Sequence, residues 1–281
     1  MSWTLIRLRW LALLFVFAMS MADAAELQRN IKVGILPYLS PQVLITLFAP
    51  VREQLQQQTG IPVELYTATD VPGILKKSLH QDYDVLIMSA HLSRLLQKRA
   101  GYIPAIQFTN DLYGSVFVAD NSNMLKLADL RGKKLAVTDR AVLVNLAVFK
   151  ALQEDHIREG DLIVRPSLNQ NAALLSIVKG ENDAAIAAHF ALDQMPEEQA
   201  RCCREIFRTQ ALPNMMISFS SRLSEKQRLA LTSALLNLPE TEAGAQFLKN
   251  SRFGGVKKIE LSSMPELDKF LPKTLKYLDL Q

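Results

Sequence analysis

Hydrophobic and polar positions along the chain alternate between two periods. The apolar run Ile31-Lys32-Val33-Gly34-Ile35-Leu36 predicts a first strand. From Pro41 the spacing turns helical, with Val43, Leu44, Leu47, Phe48, Val51 and Leu55 on one face as far as Gly60. Val63–Tyr66 predicts a second strand, and Asp70 an N-cap with Pro72 in the first turn of the next helix. Tyr83–Met88 predicts a third strand, and Ser89–Arg99 a helix stopped at Gly101.

A second unit begins near the apolar run Tyr113–Val118. Leu127–Leu130 follows, then a tight turn at Arg131-Gly132 and a strand over Lys134–Val137. A long helix is expected from Ala141 to Gln153, a strand over Leu162–Arg165 cut off by Pro166, a helix over Ala172–Lys179 and a buried strand over Asp183–Ala187. A third stretch opens at Met215–Phe219 and carries two helices before the turn Phe253-Gly254-Gly255. Short β-rich runs alternating with amphipathic helices predict an α/β fold with largely parallel sheets. No Gly/Ser tether separates the units, so short strand-like crossings should join them, as hinge closure requires.

The N-terminus adds a compartment. Arg7 and Arg9 precede the apolar stretch Trp10–Met19, and Ala22-Asp23-Ala24 supplies the small-x-small pattern of a signal cleavage site. The apolar stretch falls short of the roughly 20 residues that span a bilayer. A cleaved signal over residues 1–24 and a periplasmic mature protein are expected. Cleavage removes Arg7, Arg9 and Asp23, lowering the formal charge from +4 to +3. That excess is too small, and its basic residues too scattered, to predict a nucleic-acid partner.

Cys202-Cys203 admits a vicinal disulfide, two thiols on opposite faces, or a redox or metal role; without nearby histidine they cannot complete a zinc site. His80, His91, His156 and His189 are dispersed singly. The chain has no Gly-x-Ser-x-Gly elbow, Gly-rich phosphate loop or His-Glu-x-x-His, so neither an enzyme nor a bound metal or cofactor is expected.

The order of motifs resembles the phosphonate-binding-protein-like family of periplasmic solute-binding proteins, a branch of the type II binding-protein fold. The pieces that carry the likeness are Val33-Gly34-Ile35-Leu36-Pro37, Tyr83-Asp84-Val85-Leu86, Tyr113–Val118, Leu127-Ala128-Asp129-Leu130-Arg131-Gly132-Lys133-Lys134 and Val178–Ala185. The resemblance implies two lobes, each a mixed, mainly parallel sheet flanked by helices, with the ligand cleft between them. Lobe one would comprise residues 25–112 and 211–281, and lobe two residues 113–210. It also implies that Thr138, Arg140 and the helix start at Ala141 stand where phosphonate binders hold the anion with hydroxyls, free amides and the helix dipole. This chain has Ala141-Val142-Leu143-Val144 where those hydroxyls usually stand, leaving Arg140 to compensate as a forked donor. Asn169, Gln170 and Asn171 occupy the neighbourhood of the family's second-lobe histidine, and Met88 stands where an aromatic often follows the third strand.

Open α/β sheets bind ligands beyond the carboxyl ends of their strands. Under the resemblance, that rule nominates Tyr38, Ser40, Asp70, Ser89, His91, Thr138, Arg140, Asn169, Gln170 and His189 as ligand-binding candidates. For each the competing role is ordinary: a packed aromatic for Tyr38, helix caps for Asp70, Ser89 and Asn169, and solvated side chains for Arg140 and the histidines. The function expected is capture of a small anionic or polar solute, an oxyanion by family default, by a monomer that delivers it to an ABC permease. The alternative is a periplasmic sensor reporting to a separate membrane histidine kinase or cyclase.

Overall fold

The computed structural model describes residues 30–279. The expected signal segment, residues 1–24, lies outside the described residues.

The chain begins with strand β1 (Ile31–Ile35), whose residues are nearly all buried, and helix α1 (Pro41–Thr59), which buries Leu44, Phe48, Val51 and Leu55 and ends at Gly60 in the left-handed conformation. Strand β2 (Val63–Tyr66) and helix α2 (Val71–Leu79) follow, then the fully buried β3 (Val85–Met88), α3 (Ala90–Ala100) and β4 (Ile103–Phe108). The second unit runs through β5 (Gly114–Ala119), β6 (Lys134–Val137), α4 (Leu143–Glu154), β7 (Ile163–Pro166), α5 (Gln170–Val178), β8 (Ala184–Ala188), the short α6 (Glu197–Ala200) and β9 (Cys203–Arg208). The chain then returns through β10 (Met216–Phe219), α7 (Glu225–Leu236), α8 (Glu242–Ser251), β11 (Val256–Lys258) and α9 (Leu271–Tyr277).

These elements form two mixed sheets, one per lobe. The six-stranded sheet has the order β11-β4-β10-β3-β1-β2, and the five-stranded sheet β7-β6-β8-β5-β9. β1 pairs in parallel with β2 and β3, and β6 in parallel with β7 and β8. β10 runs antiparallel to β3 and β4, β11 to β4, and β5 to β8 and β9. The outgoing and returning crossings between lobes pair with each other at Leu112 and Leu212, whose amides donate reciprocally to each other's carbonyls at 3.0 and 2.7 Å.

Two glycines fix close approaches that a side chain would block. A Cβ at Gly34 would lie 2.8 Å from the Tyr83 ring, and one at Gly114 would lie 2.6 Å from the Val144 carbonyl oxygen. The second approach seats the first turn of α4 directly against β5. The large apolar core of the first lobe is continuous across the interlobe boundary, where Val142, Leu143, Val144, Ala188 and Phe190 join it. The second lobe has its own apolar clusters on the two faces of its sheet.

Candidate ligand-binding cleft

The parallel strands aim their carboxyl ends at the boundary between the lobes, and a cavity of about 220 Å³ opens there. The first lobe lines it with Leu36, Pro37 and Tyr38 after β1 and with Thr69, Asp70 and Val71 after β2. The second lobe contributes Thr138, Asp139 and Val142 after β6, and Pro166, Ser167, Leu168 and Gln170 around the end of β7. The site therefore follows from topology: loops leaving parallel strands converge at one end of each sheet.

Local hydrogen bonds hold these loops. Asp70 caps α2 by accepting from the Gly73 amide at 2.7 Å. Asp139 accepts from the Ala141 amide at 2.8 Å, while the Asn145 side-chain amide donates to Thr138 Oγ1 and to the Asp139 carbonyl. Asp139 is half-buried, and burial raises its carboxyl above the usual range, opposed by the Ala141 amide and reinforced by the negative charge of Asp70. Gln170 links the lobes through its backbone amide, which donates to the Tyr38 carbonyl, and accepts from the Ala188 amide through its side chain.

A second cavity, of about 30 Å³, lies deeper and shares Leu36, Tyr38, Val142 and Gln170 with the first. Ser89, Leu143, Val144, Asn214 and Phe253 complete much of its wall. The hydroxyls of Tyr38 and Ser89 are buried here without a hydrogen-bond partner among the described residues, and burial raises the Tyr38 phenol well above its ordinary value. α4 begins at this wall with Val142 as an N-cap that supplies no side-chain acceptor. The first-turn amides of a helix have no intrahelical partner, so the deep end of the cleft concentrates donors among apolar side chains.

The sequence candidates divide by location. Tyr38, Asp70, Thr138 and Gln170 come together in the 220 Å³ cavity, and Ser89 lines the 30 Å³ one. Ser40 precedes α1 without a side-chain capping bond. Asn169 caps α5 by accepting from the Ala172 amide. Arg140 forms an ion pair with Glu159 and does not line either cavity, so the compensating fork expected at the helix start is directed elsewhere. His189 packs edge-on to Tyr113 and accepts from its amide through Nδ1, near the crossings. His91 is fully buried, and its Nε2 donates across the boundary to the Ala141 carbonyl at 2.7 Å. Burial pushes the His91 imidazole down to about 4, so it is neutral at ordinary pH.

Two lining residues of consequence fall outside those candidates. Asp139 lies inside the nominated loop after β6, where its position one residue beyond Thr138 was the available signal. Leu168, 83% exposed, also lines the cavity. The cysteines are free: Cys202 is exposed and Cys203 buried, and burial pushes the Cys203 thiol up to about 11. Among the described residues no cluster of three or more His, Cys, Asp or Glu side chains is arranged to hold a metal ion, and no helix is long and apolar enough to cross a membrane.

Residues 33–264 match the family described as "ABC transporter, phosphonate, periplasmic substrate-binding protein". No curated protein matches the chain in sequence. Among solved structures, the binding-protein component of an ABC phosphonate transporter from Pseudomonas aeruginosa superposes with a TM-score of 0.80 at 15% identity, covering 89% of this chain and 88% of that one. A Prochlorococcus marinus protein in complex with methylphosphonate gives 0.81 at 14% identity, over 88% and 98% of the two chains. A Xanthomonas citri protein bound to ATP gives 0.66 at 18% identity, over 89% and 98%. At these identities the structural likeness establishes the two-lobed fold.

Proposed function

Since the chain belongs to the family of periplasmic substrate-binding proteins of phosphonate ABC transporters, we propose that it closes its lobes on a small polar solute in the 220 Å³ cavity and presents the closed form to an ABC permease. The observation that carries this reading is that both lobes line the cavity through loops at the carboxyl ends of their parallel strands. Periplasmic binding proteins of this family bind small molecules for import, and the family match favours that role over a sensory one.

In this reading Tyr38, Asp70, Thr138 and Gln170 contact the solute, and Ser89 and the first turn of α4 serve its deepest part. Ser40, Asn169, Arg140, His91 and His189 shape the cleft or hold its walls. Lobe one would comprise residues 25–112 and 211–281 and lobe two residues 113–210, with the paired crossings as the hinge. The chain works as a monomer and holds its solute without chemical change.

Three features support capture. The Gln170–Tyr38 and His91–Ala141 bonds both join the lobes, so closing the cleft makes them and opening it breaks them. The buried hydroxyls of Tyr38 and Ser89 lack partners that a solute can supply. The cavity is also large enough for a compact organic molecule.

A thermal-shift panel of small phosphonates, inorganic oxyanions, amines and zwitterions tests the reading, because a ligand selective for the folded state raises Tm. A shift that Tyr38→Phe diminishes, with the circular dichroism unchanged, is the expected result. If no compound in the panel moved Tm, the capture reading would fail.

A further inference from the structure

Resting on that capture reading, we propose that the cleft takes a tetrahedral oxyanion in its singly charged form and rejects the doubly charged one. The headgroup would sit on the Tyr38 and Ser89 hydroxyls and the first turn of α4. A phosphonate carries one or two negative charges according to its protonation, so the site chooses between two forms of one solute.

The deep end of the cleft is built from uncharged donors. Tyr38 is 7% exposed and Ser89 3%, and neither hydroxyl has a partner among the described residues. Ser89 precedes α3 without capping it through its side chain, which leaves its hydroxyl available to a solute. Val142, Leu143 and Val144 line the same space where α4 starts, and first-turn amides have no partner within their helix. Asn214 is already engaged, donating to the Asn110 carbonyl and accepting from the Met215 amide. No lysine, arginine or histidine lines either the 220 Å³ or the 30 Å³ cavity, and Arg140 is paired with Glu159.

Such a donor set suits one negative charge. The inner space of about 30 Å³ has room for about two water-sized groups, so a headgroup entering it leaves its hydration shell behind. The idealised cost of that desolvation grows as the square of the charge, about fourfold for a dianion over a monoanion. The hydrogen bonds that uncharged donors return grow only in proportion to the charge. A guanidinium or ammonium could make up the difference, and neither lines the cleft. Asp70 and Asp139 line the outer cavity from opposite lobes, and their repulsion of a solute also rises with its charge. Leu36 and Val142 face both cavities and leave apolar wall for a small organic substituent.

Calorimetry on the full-length mature chain at one mildly alkaline pH compares three probes of nearly equal shape. Methylphosphonate is then a dianion, methanesulfonate a monoanion and dimethyl sulfone neutral. Methanesulfonate should bind roughly tenfold or more tighter than either of the others. Tyr38→Phe and Ser89→Ala should each weaken it by about tenfold, with the circular dichroism unchanged. Asp70→Asn and Asp139→Asn retain a side-chain acceptor for the Gly73 and Ala141 amides, so the double variant removes charge while keeping the loops. It should narrow the gap between methanesulfonate and methylphosphonate. The dianion binding as tightly as the monoanion would overturn the charge choice while leaving solute capture intact. A sulfone as tight as the sulfonate, or a sulfonate affinity indifferent to both hydroxyl substitutions, would overturn the seat proposed for the headgroup. Silence of all three probes would also overturn the proposal, and joined to a thermal-shift panel that leaves Tm unmoved it would remove the capture reading itself.

Discussion

Arg140 illustrates how a single side chain's direction decides its role. Its position beside the start of α4 matches an anion-binding arginine, yet its guanidinium pairs with Glu159 on a partly exposed surface. Exposed ion pairs contribute roughly 0–1 kcal/mol, so Arg140→Ala should leave solute affinity unchanged within calorimetric error and lower stability by at most about 1 kcal/mol. A loss of affinity of tenfold or more would return Arg140 to the site. His91 is the reverse case, a residue nominated for the ligand that instead ties the lobes together. Its imidazole is held from the ordinary 6.5 down to about 4 by burial. A group with a depressed cationic form stabilises the fold fully above 6.5, and that contribution is lost as pH falls toward 4, because the unfolded chain binds a proton that the folded chain refuses. The effect reaches about 3 kcal/mol at its limit. His91→Gln keeps a donor for Ala141 and cannot titrate, so denaturant midpoints measured across this pH window should decline less steeply than in the parent. Equal slopes would show that other groups govern acid stability. At this scale the sequence identifies which loops meet at the cleft, since strand ends are legible from periodicity. It does not reveal which way Arg140 or His91 turns, because that depends on Glu159 and Ala141 brought near by the fold.

Elements with a strong period are readable almost to the residue. β6 occupies Lys134–Val137 as expected, and the helix nominated from Ala141 begins at Leu143, after a loop closed by Asp139. The strands over 103–108, 203–208 and 256–258 carry weaker signals. β4 has Pro104 within it, β9 mixes Arg204, Glu205 and Arg208 into an edge position, and β11 is three residues long with two lysines. Charged or short edge strands such as β9 and β11, and the inner β4 with Pro104 at an irregular register, hide the alternation that marks a strand. Glycine at position 114 has an element-scale consequence. Because a methyl group there would sit 2.6 Å from the Val144 carbonyl oxygen, Gly114→Ala must push the first turn of α4 off β5. A stability loss of about 2 kcal/mol or more is expected, with solute affinity falling alongside it, as read by chemical denaturation and calorimetry. A variant of unaltered stability would mean that α4 can move away freely.

At the scale of the whole molecule, the two lobes touch through an apolar boundary, through hydrogen bonds at Gln170–Tyr38, His91–Ala141, Gln194–Ser251 and Lys273–Gln153, through the Arg252–Asp193 ion pair and through the paired crossings. The Leu112–Leu212 pairing lies at the crossings, so in the capture reading opening the cleft breaks the cross-lobe contacts away from it and leaves that pairing in place. Small-angle scattering should therefore report a larger radius of gyration without solute than with a saturating one. Leu212→Pro, which removes the amide donated to Leu112, should enlarge the solute-free dimension further. Identical profiles with and without a bound solute would mean that capture proceeds without lobe closure.

The strand order also dictates a sequence of completion. All five strands of one sheet lie between residues 114 and 208, whereas β10, at 216–219, fills the slot between β3 and β4 in the other. The middle of the chain can thus finish its sheet while the earlier half still holds a gap in its own. Truncation after Gln210 would leave that gap permanent, exposing one edge of β3 and both edges of β4 to any neighbouring chain, so premature termination here should yield aggregates rather than a half-working receptor.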